Sequence, residues 1–243
     1  MYSMTKRIHL ISGPRNISTA LMYSFGNRND TSIVDEPMYA HYLHTHPDII
    51  HPSHEEILKS QRIELNQILE NVIFGSYPTD NVFIKNMAHH LDGVDWSFLT
   101  RLDNVFLIRS PERLIASFAK VITHPTMLDI GLKLEYEIFN YLQSKGQPFC
   151  ILDSGEVLKN PEAVLTKLCA FLDMEMDAAM LQWTAGPRHE DGVWAKHWYH
   201  NVHLSTGFKR PPDKPIDFPE YLRPLLSEAL HYYDLLYAHS IKA

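Results

Sequence analysis

The sequence predicts an α/β fold whose mostly parallel five-stranded sheet is covered by helices on both faces. Two observations carry this. Five short runs, at 7–12, 32–35, 81–87, 104–109 and 148–153, are almost continuously apolar, as strands buried on both faces must be. Longer helical patterns separate them, and strand–helix alternation of this kind builds parallel sheets. A content of 45% hydrophobic and 21% charged residues fits a globular chain.

The first strand, "RIHLIS", breaks at Gly13–Pro14 and passes into a helix over 18–28. A strand at 32–35 precedes a helical pattern over 53–74, and the 81–87 and 104–109 strands follow. Pro111 and Pro161 stand near helix starts, where proline is tolerated, and open helices over 112–122 and 161–172. Between these lie a helix over 127–145 and the 148–153 strand, and a last helix spans 219–240. Two segments resist assignment: 37–53, rich in His, Tyr and Pro, and 184–214, rich in Trp, His, Gly and Pro. We expect one domain over 1–243, with these two as lids over a site at the C-terminal sheet edge, where open α/β sheets bind ligands.

A chain of 243 residues buries most of its potential surface and needs no disulfide. Its two cysteines, Cys150 and Cys169, lie in apolar runs and read as small core residues in a reducing compartment. Without an apolar leader or a membrane-length apolar run, the expectation is a soluble, cytoplasmic protein with no membrane partner. The net charge of −7 argues against a nucleic-acid partner. An acidic protein that binds an anion does so with a few placed cations and backbone N–H groups.

The stretch "SGPRNISTALM" has the layout of such a site. Gly13 allows a turn, Pro14 restricts it, and Asn16, Ser18 and Thr19 fall where free helix N–H groups and the helix dipole favour an anion. Arg15 adds a guanidinium suited to sulfate or phosphate oxygens. Counted from Gly13, the positions of the lysine and magnesium-binding hydroxyl of a nucleotide-kinase P-loop are Thr19 and Ala20. Simple capping of a helix by Ser18 and Thr19 explains the same residues. A second Arg–Ser pair, Arg109 at a strand end and Ser117 in the next helix, suits another phosphate, with Arg113 one turn before Ser117 on the same face.

These pieces resemble the PAPS-dependent sulfotransferases. Pro14, Arg15, Asn16, Ser18 and Thr19 fall in order on that family's 5′-phosphosulfate loop, P-[KR]-S-G-T-T, and Arg109, Pro111 and Ser117 match its 3′-phosphate motif. "ILDSGEVLKNPEAVLTKLCAFLDM" is similar to its "YEDL…DPEAELRKLCEFLGL" segment. The resemblance implies a three-layer α/β sandwich of P-loop NTPase type, a PAPS donor leaving PAP as product, no required metal, and a small-molecule acceptor. It places Gly13 through Thr19, Arg109 and Ser117 at the donor. Ile17 departs from the family's usual Gly, and a Cβ there either displaces the loop from the sulfate or imposes a different turn.

The acceptor proton needs a base. Glu36 ends a predicted strand at the same sheet edge and matches a Glu proposed as base in some sulfotransferase subfamilies; Asp35 should point oppositely if the strand persists. A solvated Glu36 beside an Asp35 helix cap is the alternative. "FIKNMAHH" resembles "IIKTHLP", a strand carrying a catalytic Lys and His. Lys85 matches the Lys, expected to support the leaving oxygen, while Met87 stands at the His position, leaving His89 or His90 to serve from a shifted place. Arg15 would stabilise charge on the bridging oxygen. The histidines at 41, 44, 46, 51 and 54 raise the question of zinc, but their spacing fits no H-E-x-x-H pattern, and an acceptor-site lid or surface loop explains them too. In "VWAKHWYHNVHLSTGFKRPP", Lys196 is the preferred donor contact by distant similarity to a "VIKPV" segment, with Lys209 and Arg210 as rivals. A nucleotide-dependent kinase and a non-catalytic anion-binding module are the alternative functions.

Overall fold

The computed structural model describes residues 5–210 and 215–243. The chain runs β1 (Lys6–Ser12), α1 (Ser18–Gly26), β2 (Thr31–Asp35), α2 (Tyr39–Thr45), α3 (His54–Ser60) and α4 (Leu65–Ile68), then β3 (Asn81–Met87) and β4 (Asp103–Ile108). It continues through α5 (Pro111–Phe118), α6 (Met127–Ile130), α7 (Leu132–Ser144), β5 (Phe149–Asp153), α8 (Ser154–Lys159) and α9 (Pro161–Phe171). The last elements are α10 (Ala195–Trp198), α11 (His200–His203), α12 (Arg223–Tyr237) and β6 (Ser240–Ile241). All strand pairings are parallel, in the order β2-β3-β1-β4-β5-β6.

The sheet is therefore sandwiched in three layers, as expected, with six strands instead of five. β6 escaped the sequence reading because two residues carry no period. The final helix stops at Tyr237, short of its expected end at 240, and the chain then pairs Ser240 and Ile241 against β5.

Alternate residues of each strand face opposite layers. Ile11, Ile84, Phe106 and Ile151 pack with α5, α7 and α12, while Leu10, Phe83, Val105 and Leu152 pack with α1 and α9. Cys150 and Cys169 are free and buried in the second layer. α1, which follows β1, and α5, which follows β4, thus leave neighbouring strands toward opposite faces. That divergence opens a crevice at the C-terminal ends of β1 and β4, the switch point where ligands bind in such sheets.

Two expected helices are broken. The 53–74 pattern divides because Gln61 is extended, and α4 then runs into a π-turn at Leu69–Ile73. Gln61 leaves the helix to use its amide elsewhere: Oε1 accepts from Ala40 N–H at 3.1 Å and Nε2 donates to the Glu36 carbonyl at 3.0 Å. The 127–145 pattern divides at Gly131, whose φ of 79° is left-handed. The 37–53 segment contains α2, whose Tyr39, Ala40, Tyr42 and Leu43 are buried with Ile57, Trp194 and Tyr199. The 184–214 segment carries α10 and α11; its residues 211–214 lie outside the described residues.

Candidate active site

The crevice is a cavity of about 760 Å³ with two chemically distinct ends. At the first, β1 turns at Gly13, where a Cβ would lie 2.6 Å from the Ile130 carbonyl oxygen, so only glycine fits. Gly13 is the loop's pivot; the cavity wall itself begins at Pro14 and runs through Arg15, Asn16, Ile17, Ser18 and Thr19. Asn16 ties the loop to β4, its Nδ2 donating to the Leu107 carbonyl at 2.7 Å while Oδ1 accepts from Ile17 N–H at 3.0 Å. Ile17 has φ of −85°, so the position needs no glycine; the left-handed residue is Arg15, at 53°. The left-handed turn of this loop thus lies two positions before Ile17. Ser18 and Thr19 are buried in the first turn of α1, and no side chain caps that helix, so its leading N–H groups face the cavity.

The second Arg–Ser pair meets the loop here. Arg15 Nε donates to Ser117 Oγ at 3.3 Å, and the Arg109 guanidinium donates to the Arg15 carbonyl. Arg113 joins them in the wall. Burial, helped by the charges of Arg15 and Arg113, pulls the Arg109 guanidinium down to about 10, and burial lowers Arg15 as well. Guanidiniums crowded together at a helix N-terminus attract an anion strongly.

The other end is built on β2 and β3. Lys85 is 1% exposed, and its ammonium donates to Asp35 Oδ1 at 2.7 Å, Glu36 Oε1 at 2.5 Å and the Tyr199 hydroxyl at 2.6 Å. Burial opposes its charge, but Asp35 and Glu36 together outweigh burial and hold Lys85 above the ordinary lysine range. Three partners engage all three ammonium hydrogens. Lys85 therefore holds the two carboxyls and the phenol together at one point. Asp35 pairs in register with Lys85 and shares its face of the sheet; Glu36 does not point oppositely, because the chain leaves β2 with Glu36 at φ of 44° and turns it to the same ammonium. That unusual backbone is pinned by Glu36 N–H to the Lys85 carbonyl at 2.7 Å and by the Gln61 amide. Strained non-glycine residues of this kind cluster at functional sites.

Burial raises the Glu36 carboxyl, Lys85 partly offsets this, and Asp35 adds to it. Its Oε1 is engaged, while Oε2 lies 3.9 Å from His90 Nε2. His90 follows β3 in a single 3-10 turn, Ala88–Leu91, is fully buried, and has neither ring nitrogen hydrogen-bonded within the protein. Its ring stacks on Tyr39 at 4.5 Å and meets His89 edge-on at 4.6 Å. Burial keeps these imidazoles neutral, with His89 down at about 3 and His90 well below the ordinary range.

Tyr199 belongs to the aromatic run of the 184–214 segment, and nothing in that run marks it as a partner of Lys85. Besides Lys85 its hydroxyl touches Asp35 at 2.8 Å and accepts from Trp194 Nε1 at 3.0 Å. An aromatic 114 positions away in sequence from its partner gives no local signal. Lys196 is the reverse case. It lies outside the cavity wall, half-exposed and paired with Glu56 Oε2 at 2.6 Å, because Trp194 and Tyr199 are the residues of its segment that turn inward. Lys209 and Arg210 line the cavity instead. The nearby histidines have other partners: His41 the Ile63 carbonyl, His46 Asp92, and His51 Tyr39. Among the described residues no group of three or more His, Cys, Asp or Glu side chains is arranged for a metal ion.

The 14–19 loop and its guanidiniums thus lie at the switch point of a parallel sheet, with a buried carboxyl and imidazole beyond them. The family is shown by comparison: residues 6–240 match the model described as "Sulfotransferase domain", and the chain belongs to that family. Two Arabidopsis thaliana proteins, "Branched-chain-amino-acid aminotransferase-like protein 1" and "protein 2", are 38% and 36% identical over 96% of this chain. The chain spans only 42% and 41% of their lengths. Among solved structures, the "Sulfotransferase Domain from the Curacin Biosynthetic Pathway" superposes with a TM-score of 0.55 at 16% identity, covering 96% of this chain and 98% of that one. The "Sulfotransferase Domain from the Synechococcus PCC 7002 Olefin Synthase" gives 0.56 at 14%, covering 99% and 97%. These last likenesses concern the fold. Among the described residues no helix is long and apolar enough to cross a membrane.

Proposed function

We propose that the protein is a PAPS-dependent sulfotransferase that moves a sulfuryl group to a hydroxyl or amine of a small molecule. The observation that carries this reading is the meeting of the 14–19 loop with Arg109 and Ser117, two anion sites in contact through Arg15. PAPS has two anionic groups to match. The loop N–H groups, Ser18 and Thr19 would hold the 5′-phosphosulfate, and Arg109 and Ser117 the 3′-phosphate.

The donor supplies the sulfuryl group; the protein supplies charge and a proton acceptor. Arg15 and the α1 N-terminus offset the negative charge that grows on the bridging oxygen as its bond to sulfur breaks. Glu36 takes the acceptor's proton through Oε2 as the new bond to sulfur forms. Its raised carboxyl brings it nearer working pH, which suits a base. His90 is a weaker base, because burial drives its proton off, and it serves as a hydrogen-bonding partner that orients the acceptor.

Melting temperatures with PAP, with ATP–magnesium and with neither test the reading, since a ligand that binds only the folded state raises the transition. A rise with PAP is expected. No rise at millimolar PAP overturns the proposal, and a rise with ATP–magnesium alone favours a kinase.

A further inference from the structure

We infer that Asn86 is a positioning residue for Glu36, set in its own orientation by His9 and Asn104. This rests on the function proposed above, in which Glu36 takes the acceptor's proton.

The three side chains are fully buried and cross the sheet from β3 through β1 to β4. They share the face that carries Ile11, Ile84 and Phe106, and the His9 ring stands 6.4 Å from that of Phe98. Their hydrogen bonds admit one direction. Asn104 Nδ2 donates to the Leu99 and Leu102 carbonyls at 2.8 and 3.0 Å, so its Oδ1 faces His9 Nδ1, at 3.4 Å. His9 therefore carries its proton on Nδ1, and its Nε2 accepts from Asn86 Nδ2 at 3.1 Å. That leaves Asn86 Oδ1 as the acceptor for the Met38 N–H, at 3.3 Å. A flipped Asn86 amide would set its own N–H against that of Met38.

Met38 belongs to the turn that begins at Glu36. The Glu36 φ of 44° is costly for a residue with a side chain and persists only where its surroundings hold it. Lys85 holds the Glu36 N–H and carboxyl, at 2.7 and 2.5 Å. Asn86, next along β3 and pointing to the other face, holds the chain two residues further on. Core stability does not call for this arrangement. Apolar groups of the same shape in place of a bonded polar pair are nearly neutral or stabilising, whereas buried polar groups are costly unless bonded. What the three side chains supply is a single orientation, and it ends at the turn that aims Glu36.

The test reads Glu36 itself, in the full chain. Its carboxyl faces Lys85, Asp35, Tyr199 and His90, so a displaced carboxyl titrates differently. Carbon NMR of the carboxyl groups follows that titration, with the Glu36 signal assigned by its loss in Glu36→Gln. Asn86→Ala should move it by about one pH unit or more. Amide exchange at Met38 should quicken about ten-fold or more, while Leu10 and Val105 keep their protection. PAP affinity by calorimetry should stay within about two-fold of the parent's, because the 14–19 loop keeps its own contacts. His9→Gln keeps one donor and one acceptor and should retain the parent's titration. His9→Leu removes both; it is the second variant where Asn86→Ala does not fold, and it should shift the titration too. An unmoved Glu36 titration in the folded variant overturns the inference, as does exchange that quickens equally at Met38, Leu10 and Val105. Failure of the parent to bind PAP is a separate result: it overturns the function proposed above, and with it the base that Asn86 would position.

Discussion

The Lys85 ammonium lies 2.6 Å from the Tyr199 hydroxyl and bonds Asp35 and Glu36 at the same time. One phenol thereby fastens the C-terminal segment to the buried acid pair, and Trp194 Nε1 secures it from behind. The site's order depends on distant parts of the chain meeting at one oxygen.

Tyr199→Phe removes that oxygen and keeps the ring. Two buried donors, Lys85 and Trp194, each lose an acceptor, and a stranded buried donor costs about 1–3 kcal/mol. Urea denaturation should show a loss of this size, with PAP affinity nearly unchanged. A variant as stable as the parent would refute the bridging role.

Lys85→Met is harsher. It leaves two buried acidic groups without their cation, and breaking a buried pair typically costs about 3–5 kcal/mol. The loss should shrink on acidification, since protonated carboxyls need no partner. Denaturant midpoints at acidic and neutral pH measure this.

Two kinds of buried group set opposite pH trends. Glu135, fully buried beneath the loop, is held well above the carboxylate range by burial, the Gly13 N–H opposing only in part. A carboxyl raised on folding contributes stability below its unfolded pKa and loses it as pH rises through the folded one. Glu135→Gln should therefore gain stability relative to the parent from pH 4.5 upward. His9 and His89, lowered by burial to about 4 and about 3, contribute stability above pH 6.5 that is lost as pH falls toward those values. Stability should thus decline below pH 6.5, and His89→Gln should flatten that decline, as read by denaturation across pH.

Gly13→Ala places a methyl group 2.6 Å from the Ile130 carbonyl oxygen, so the loop must shift. PAP binding should weaken about ten-fold or more by titration, because the loop N–H groups lose their aim. Lys196→Ala, at the surface pair with Glu56, should leave PAP binding unchanged.

The parallel sheet was legible because buried strands leave continuous apolar runs. The 14–19 loop and the Arg109–Ser117 pair it meets stood out because their residue types are local in sequence. What was hidden depended on tertiary contact. Gln61 breaks a helical pattern to hold the Glu36 backbone, and the turn at Glu36 brings its carboxyl round to the ammonium that Asp35 already faces. Lys196 and Tyr199 sit three residues apart, and only folding shows which one turns inward.

The central claim is that one donor is anchored at two phosphate sites. It is tested most directly by calorimetric titration with PAP and with AMP, which lacks the 3′-phosphate, on the parent and on Arg109→Ala. PAP should bind the parent about ten-fold or more tightly than AMP, since charge-assisted bonds contribute about 1.5–3 kcal/mol, and Arg109→Ala should erase the difference. Equal affinity of the parent for PAP and AMP, or binding of neither, would contradict it.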